Sequence, residues 1–199
     1  MNGDSLKELQ KFLFEFEKCA PQLRCIQSTR SPGPGGTRNF GFLQSKSQFV
    51  AFLDDDDLFL PWKLERQVEE MVALKAQMSH GNYVRFVDES HDLEIQDTSR
   101  HSSSTDFLRK LPWRDCVIAT PTVMVTRNLP DEDFGIFPED INFGEDQVGW
   151  MNFLHLSGGK LIHLSEPLAM VRIHSKSLQR EGLASSQIER RIQAREAIR

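Results

Sequence analysis

The sequence predicts an α/β fold, a mixed and largely parallel sheet flanked by helices, on three observations. Short apolar runs alternate with helix-period segments through the first half, as in a parallel sheet with crossover helices. The run Phe49–Leu53 ends directly in four carboxylates, Asp54, Asp55, Asp56 and Asp57. The carboxyl ends of strands are where such sheets bind ligands. The chain's 199 residues suffice for one sizeable core.

Taken in order, the first element is a helix over Ser5–Lys18. Ser5 and Glu8 have capping-box spacing, and Leu6, Leu9, Phe12, Leu13 and Phe16 form an apolar face. Pro21 stops it, and Leu23–Gln27 reads as a strand. The Gly/Pro-rich loop "STRSPGPGGTRNFGFLQSK" then leads into a short helix starting near Gly36. Gln48–Leu53 is a strand ending in the aspartates. Pro61 suits the first turn of a helix, whose apolar face is Leu64, Val68, Met71, Val72 and Leu74, running to about Met78. Asn82–Val87 alternates as a strand. Residues 88–105 are polar and read as either a lid or plain disorder. Asp106–Lys110 is a helical turn, and Cys116–Thr126 a strand pair or one strand broken at Pro121. Glu145–Leu156 is a helix ending at Gly158-Gly159. Lys160–Leu164 and Leu168–Ile173 are strands, and the tail after Ser175 is helical and basic. Trp62 and Trp150 are expected to be packing residues.

Composition narrows the classes. Hydrophobic residues at 39% and charged residues at 27% fit a globular protein. A net charge of −5 argues against a general nucleic-acid binder. Cys19, Cys25 and Cys116 make neither a metal-ligand spacing nor an even disulfide set, which points to a reducing compartment. No apolar run reaches the length of a membrane span, and the polar start is not a signal peptide. A cytoplasmic protein is expected.

The aspartate run needs a reason. Two unit charges ~6 Å apart repel by roughly 0.7 kcal/mol in water and by several-fold more in a partly dry cleft. An exposed acidic turn that caps the next helix is one explanation. A hard-cation site is the other, because a divalent metal offsets the repulsion and prefers oxygen ligands.

The order of "GPGGTRNFGF", "FVAFLDDDDLFLPWKLERQ", "FGEDQVGWMNFLHLSGGKLIHL" and "PLAMVRIHSKS" resembles the family 2 glycosyltransferases of the GT-A fold, through most of residues 1–178. The resemblance implies a GT-A-like, Rossmann-like sheet and a nucleotide diphosphate sugar donor bound with Mn²⁺ or Mg²⁺. Asp54 and Asp56 then fill the Asp-x-Asp motif. Asp54 would lie against the ribose or the metal region, Asp56 would be the principal metal ligand, and Asp57 fills an adjacent acidic position. Arg38 matches a position near the nucleotide. Asp146 matches the general base of an inverting single displacement, with Glu145 orienting the acceptor or capping the helix. His174 matches a position that adds a nitrogen ligand to the metal or contacts phosphate.

The family pattern opens with a strand, a helix and a strand ending in Asp-Asp-Gly-Ser. Here Met1–Ser5 stands at that turn, with Asn2 and Gly3 at its acidic positions. The chain is therefore expected to lack the N-terminal strand–helix–strand and part of the base-binding site. Residues 1–178 are expected to form one transferase domain and 179–199 a helical basic tail. That tail, with Ile188, Ile192 and Ile198 at near-helical spacing, either packs on the domain or lies against the inner membrane face. The expected partners are the donor and a saccharide or lipid-linked acceptor in surface polysaccharide synthesis, with no nucleic acid. The alternatives are a non-catalytic remnant that binds a partner or nucleotide, and a metal-dependent phosphate-ester hydrolase or nucleotidyltransferase.

Overall fold

The computed structural model describes residues 24, 26–87, 93–99, 102–103, 118–127, 135–141 and 144–173. The elements expected over Ser5–Lys18 and Asp106–Lys110, and the tail after Ser175, lie outside the described residues.

Helix α1 spans Pro34–Gln44, with proline in its first turn. It starts two residues earlier than expected, because proline's fixed φ suits the first helical position. Strands β1 (Phe49–Ala51) and β2 (Leu58–Phe59) flank the aspartate turn. Helix α2 (Lys63–Leu74) leads to the nine-residue strand β3 (Met78–Phe86). Strand β4 (Glu94–Gln96) follows, then a 3₁₀ turn at Thr120–Thr122, and β5 (Met124–Thr126). Helix α3 (Glu145–Ser157) precedes β6 (Leu161–Arg172).

The sheet order is β1-β5-β3-β6-β2, with β4 also on β3. β3 and β6 run parallel along nine residue pairs, from Met78↔Leu161 to Phe86↔Arg172. The other four pairings are antiparallel. The sheet is thus mixed, as expected, but less parallel than the strand–helix alternation suggested. Alternation says where strands occur, not which become neighbours.

Two apolar layers cover the sheet. Phe42 of α1 and Trp150, Phe153 and Leu154 of α3 pack on Met78 and Leu161. Met71 of α2 packs with Met124, Ile162, Leu164 and Leu168 on the other face. Met78 and Ser79, or Leu161 and Ile162, face opposite layers because strand side chains alternate.

Several expectations are corrected. Ile26 and Gln27 are irregular rather than strand, and Pro61 lies in the turn ahead of α2. α2 stops at Leu74, and Met78 already belongs to β3. Cys116–Thr126 is not a strand pair over its described part, because Ala119–Val123 closes as a 3₁₀ turn before β5. The two C-terminal strands are one, β6, which absorbs a register shift opposite Gly81-Asn82. Trp150 is buried as expected. Trp62 is 44% exposed, with its indole N–H donating to the Pro167 carbonyl at 2.9 Å. The 88–105 segment is anchored in part: β4 pairs with β3, and Thr98 is buried with its N–H on Asn82 Oδ1 at 2.8 Å.

The face of α2 is the largest departure. Met71 is buried and Val68 packs on the core as expected, but Leu64, Val72 and Leu74 are exposed, and Lys63 and Gln67 are buried in their place. The Gln67 amide donates to Ser79 Oγ and to the Thr122 carbonyl, each at 2.9 Å. The Lys63 ammonium reaches Gln67 Oε1 and, at 3.4 Å, the Val123 carbonyl, over the ring of Phe59. These partners make burial of two polar side chains affordable.

Candidate functional site

β1 delivers the chain to the aspartates. Phe52 enters the core, Leu53 is exposed, and a turn closes with the Asp57 N–H on the Asp54 carbonyl at 3.2 Å. The end of β6 clasps this turn. The Arg172 N–H donates to Asp57 Oδ1 at 2.9 Å, and Arg172 Nε donates to the Asp56 carbonyl at 2.9 Å. Asp57 is buried, and its carboxyl is pushed up to about 6 by that burial, opposed by the Arg172 N–H. Asp57 therefore serves the turn's shape. Asp54 and Asp56 are half-buried, and Asp55 is exposed.

α1 supplies Arg38, whose side chain is only 14% exposed. Its Nη2 donates to both oxygens of Asp54, at 2.8 and 3.0 Å, and its Nη1 donates to Glu145 Oε1 at 2.7 Å. Burial works against the guanidinium charge, but Asp54 and Glu145 outweigh it and hold Arg38 above its ordinary range. One planar fork thus joins the end of β1 to the first turn of α3.

α3 opens after Gly144 at φ 77, with Glu145 and Asp146 in its first turn. Acids there are favoured by the helix dipole, but Glu145 is also buried against Arg38. Asp146 accepts the Gln147 N–H at 2.7 Å. Burial, and then the neighbouring Glu145 charge, raise its carboxyl to about 6, with Arg38 opposing. A carboxylate poised there ionises near neutral pH, the property a general base requires.

The structure therefore brings together Arg38, Asp54 and Glu145 by direct contact, with Asp146 beside them and Asp56 in the same turn as Asp54. His174 lies outside the described residues, which end at Ile173, one residue past β6. Among the described residues no group of three or more His, Cys, Asp or Glu is arranged to hold a metal ion. The donor chemistry fits a hard cation with one or two protein carboxylates and substrate oxygens for the rest, as Mg²⁺ sites are commonly built. No helix among the described residues is long and apolar enough to cross a membrane.

Sequence reading passed over Arg172, whose role is set by a turn 115 residues away. It also passed over Asn39, buried beside Arg38. An asparagine inside a helix, a poor position for it by propensity, was the available signal.

Comparison with known proteins gives the family and the fold. The family profile described as Glycosyl transferase family 2 matches residues 1–132. A Rickettsia bellii protein named as an uncharacterized glycosyltransferase is 37% identical over 146 residues, covering 72% of this chain and 20% of the relative. The Escherichia coli O-antigen biosynthesis glycosyltransferase WbnJ is 29% identical, covering 73% of this chain and 56% of its own. The chain thus spans about a fifth to a little over half the length of these relatives. Among solved structures, S. aureus TarS in complex with UDP-GlcNAc superposes with a TM-score of 0.59 at 20% identity, over 88% of this chain and 50% of TarS. That likeness shows the GT-A fold.

Proposed function

Because this chain belongs to glycosyl transferase family 2, we propose that it forms the centre of an inverting transferase. The enzyme moves a sugar from a nucleotide diphosphate sugar to a hydroxyl of a saccharide or lipid-linked acceptor. The observation that carries the reading is Arg38, which ties the aspartate turn to the helix end bearing Glu145 and Asp146. It sets a carboxylate raised to about 6 beside the strand end where an α/β sheet takes its ligand. The names of relatives in O-antigen and succinoglycan biosynthesis, and UDP-GlcNAc bound to TarS, support a nucleotide-sugar donor and a polysaccharide product.

In this reading Asp146 accepts the proton of the acceptor hydroxyl as its oxygen bonds to the anomeric carbon. The bond from that carbon to the diphosphate oxygen breaks on the opposite face, so the configuration inverts. Glu145 orients the acceptor and holds Arg38. Asp54 is occupied by Arg38, so the pair sets the position of the turn. A bound Mn²⁺ or Mg²⁺, with Asp56 as principal ligand, Asp54 beside it and His174 as a nitrogen ligand, would neutralise charge on the leaving diphosphate. Residues 1–178 would be the transferase unit. The basic stretch 179–199 would provide any contact with an anionic inner membrane face, which vesicle co-sedimentation tests.

The second reading is a non-catalytic module that binds a partner or nucleotide. Two variants separate the readings once a donor is found by screening nucleotide sugars. Asp146→Asn should keep donor affinity and lose turnover by ~10²–10⁴-fold. Asp56→Asn should weaken both. Near-normal turnover in Asp146→Asn would reduce that carboxylate to a helix-end charge, and binding without turnover by the wild type would favour the non-catalytic role.

A further inference from the structure

We infer that Asn39 is a positioning residue which sets where the Glu145–Asp146 pair stands relative to the aspartate turn. The inference rests on the reading of that pair as the reactive end of the site.

Asn39 follows Arg38 on α1 and is 1% exposed. Its Nδ2 donates to the Phe137 carbonyl at 2.7 Å, and its Oδ1 accepts the Phe137 N–H at 2.8 Å. A side-chain amide thus pairs with both polar groups of one peptide residue, as a neighbouring strand would. The second Nδ2 hydrogen goes to Glu139 Oε1 at 2.9 Å, and Glu139 is also held by Arg30. The fit leaves no spare room. A Cβ on Gly135 would fall 2.5 Å from the Asn39 amide, and one on Gly35 would fall 2.3 Å from the Pro138 carbonyl.

The residue held in this way packs against both halves of the site. The Phe137 ring packs edge-on against Phe52 at 5.4 Å and against Trp150 at 4.9 Å. Phe52 lies two residues before Asp54, and Trp150 is one turn beyond Glu145-Asp146 on α3. A Cβ on Gly149 of α3 would lie 2.4 Å from the same ring. The Arg38 guanidinium passes 5.8 Å from its centroid. Phe52 and Trp150 also meet each other at 5.3 Å, so Phe137 closes a three-ring cluster that joins the strand end carrying the aspartates to the helix carrying the proposed base. Arg38 ties the two halves by charge, and Asn39 fixes where the third ring sits against both.

Among common replacements only asparagine makes all these contacts. Aspartate would set a carboxylate against the Phe137 carbonyl and Glu139, serine cannot serve both groups, and glutamine is a methylene too long for the gap. Closely packed regions transmit such displacements rather than absorbing them.

The test uses the full chain and an amide spectrum. The Gln147 N–H is bonded to the Asp146 carboxylate and reports where that carboxylate stands. In Asn39→Ala the Gln147 signal should move, while sheet amides such as Val125 and Ile162 keep their places. Gly135→Ala should do the same with the asparagine still present, because its methyl displaces the amide; this variant decides if Asn39→Ala does not fold. With a nucleotide sugar that the wild type turns over, both variants should lose turnover by ~10–10²-fold, the scale of a 1 Å misplacement, with donor affinity unchanged within about twofold. A Gln147 signal unmoved in both variants, with shifts confined to residues 135–139, overturns the inference. If the wild type turns over no nucleotide sugar, the proposed function fails, and the Gln147 signal still decides the role of Asn39.

Discussion

Replacing the buried amine of Lys63 should remove a pH dependence from the stability of this fold. Lys63 is fully buried, and among the described residues its acceptors are the Gln67 oxygen and the Val123 carbonyl, with no carboxylate paired to it. Burial pulls its pKa from 10.5 down to about 7. At 1.36 kcal/mol per pH unit, this shift amounts to about 5 kcal/mol of penalty on the charged form. The sign follows from proton counting. Between pH 7 and 10.5 the unfolded chain holds the proton more than the folded one does, so stability rises with pH across that window. Below pH 7 both states hold it and the penalty is full and flat. From pH 7 to 9 the wild type should gain about 2 kcal/mol from this group, or roughly 1 M in urea midpoint. Lys63→Met should lose that gain. It also strips a donor from the Gln67 oxygen, at ~1–3 kcal/mol, a cost that is the same at every pH. The assay is urea unfolding of both proteins at pH 6, 7, 8 and 9, and the quantity is the difference in slope, so that titration of Cys19, Cys25 and Cys116 cancels. Parallel slopes would refute the reasoning.

Arg38→Ala leaves Glu145 buried without its cation and should destabilise by about 2–4 kcal/mol, less than a fully buried pair because Asp54 is half-exposed; urea unfolding measures it, and a loss under 1 kcal/mol would deny the bridge its structural role. Turnover should rise with pH through about 6 as Asp146 ionises, since a base works only deprotonated. A pH–rate profile with no acid limb near 6 would argue against Asp146 as base. The folded chain favours protonated Asp146, so this group's penalty should be relieved as pH falls through that value, and Asp146→Asn should remove that relief in an unfolding series. Lys75 ends α2 at φ 51, in the left-handed region. Lys75→Gly should stabilise by roughly 0.5–1 kcal/mol, read as a rise in thermal midpoint.

Local signals were enough where a residue's neighbours in the chain decide its state. α3 was legible from the acids of its first turn and from Gly158-Gly159, and it runs from Glu145 to Ser157. The aspartates stood out as a strand end because an apolar run led into them, and they occupy a turn after β1. The order of Arg38, the aspartates and Glu145-Asp146 carried the family before any coordinate was known. Tertiary structure decided what these residues touch. Arg38 meets Asp54 and Glu145, which stand 16 and 107 positions away. Gln67 is buried because Ser79 and Thr122 satisfy it, 12 and 55 positions away, so the apolar count of α2 found Val68 and Met71 but missed Gln67 and turned Leu64, Val72 and Leu74 inward wrongly. β6 runs unbroken because β3 lies parallel beside it and takes up the irregularity in a register shift. Periodicity reports neighbours within about one helical turn. The burial of a polar or charged side chain depends on whether a partner arrives from elsewhere in the fold, and that is settled only when the layers pack.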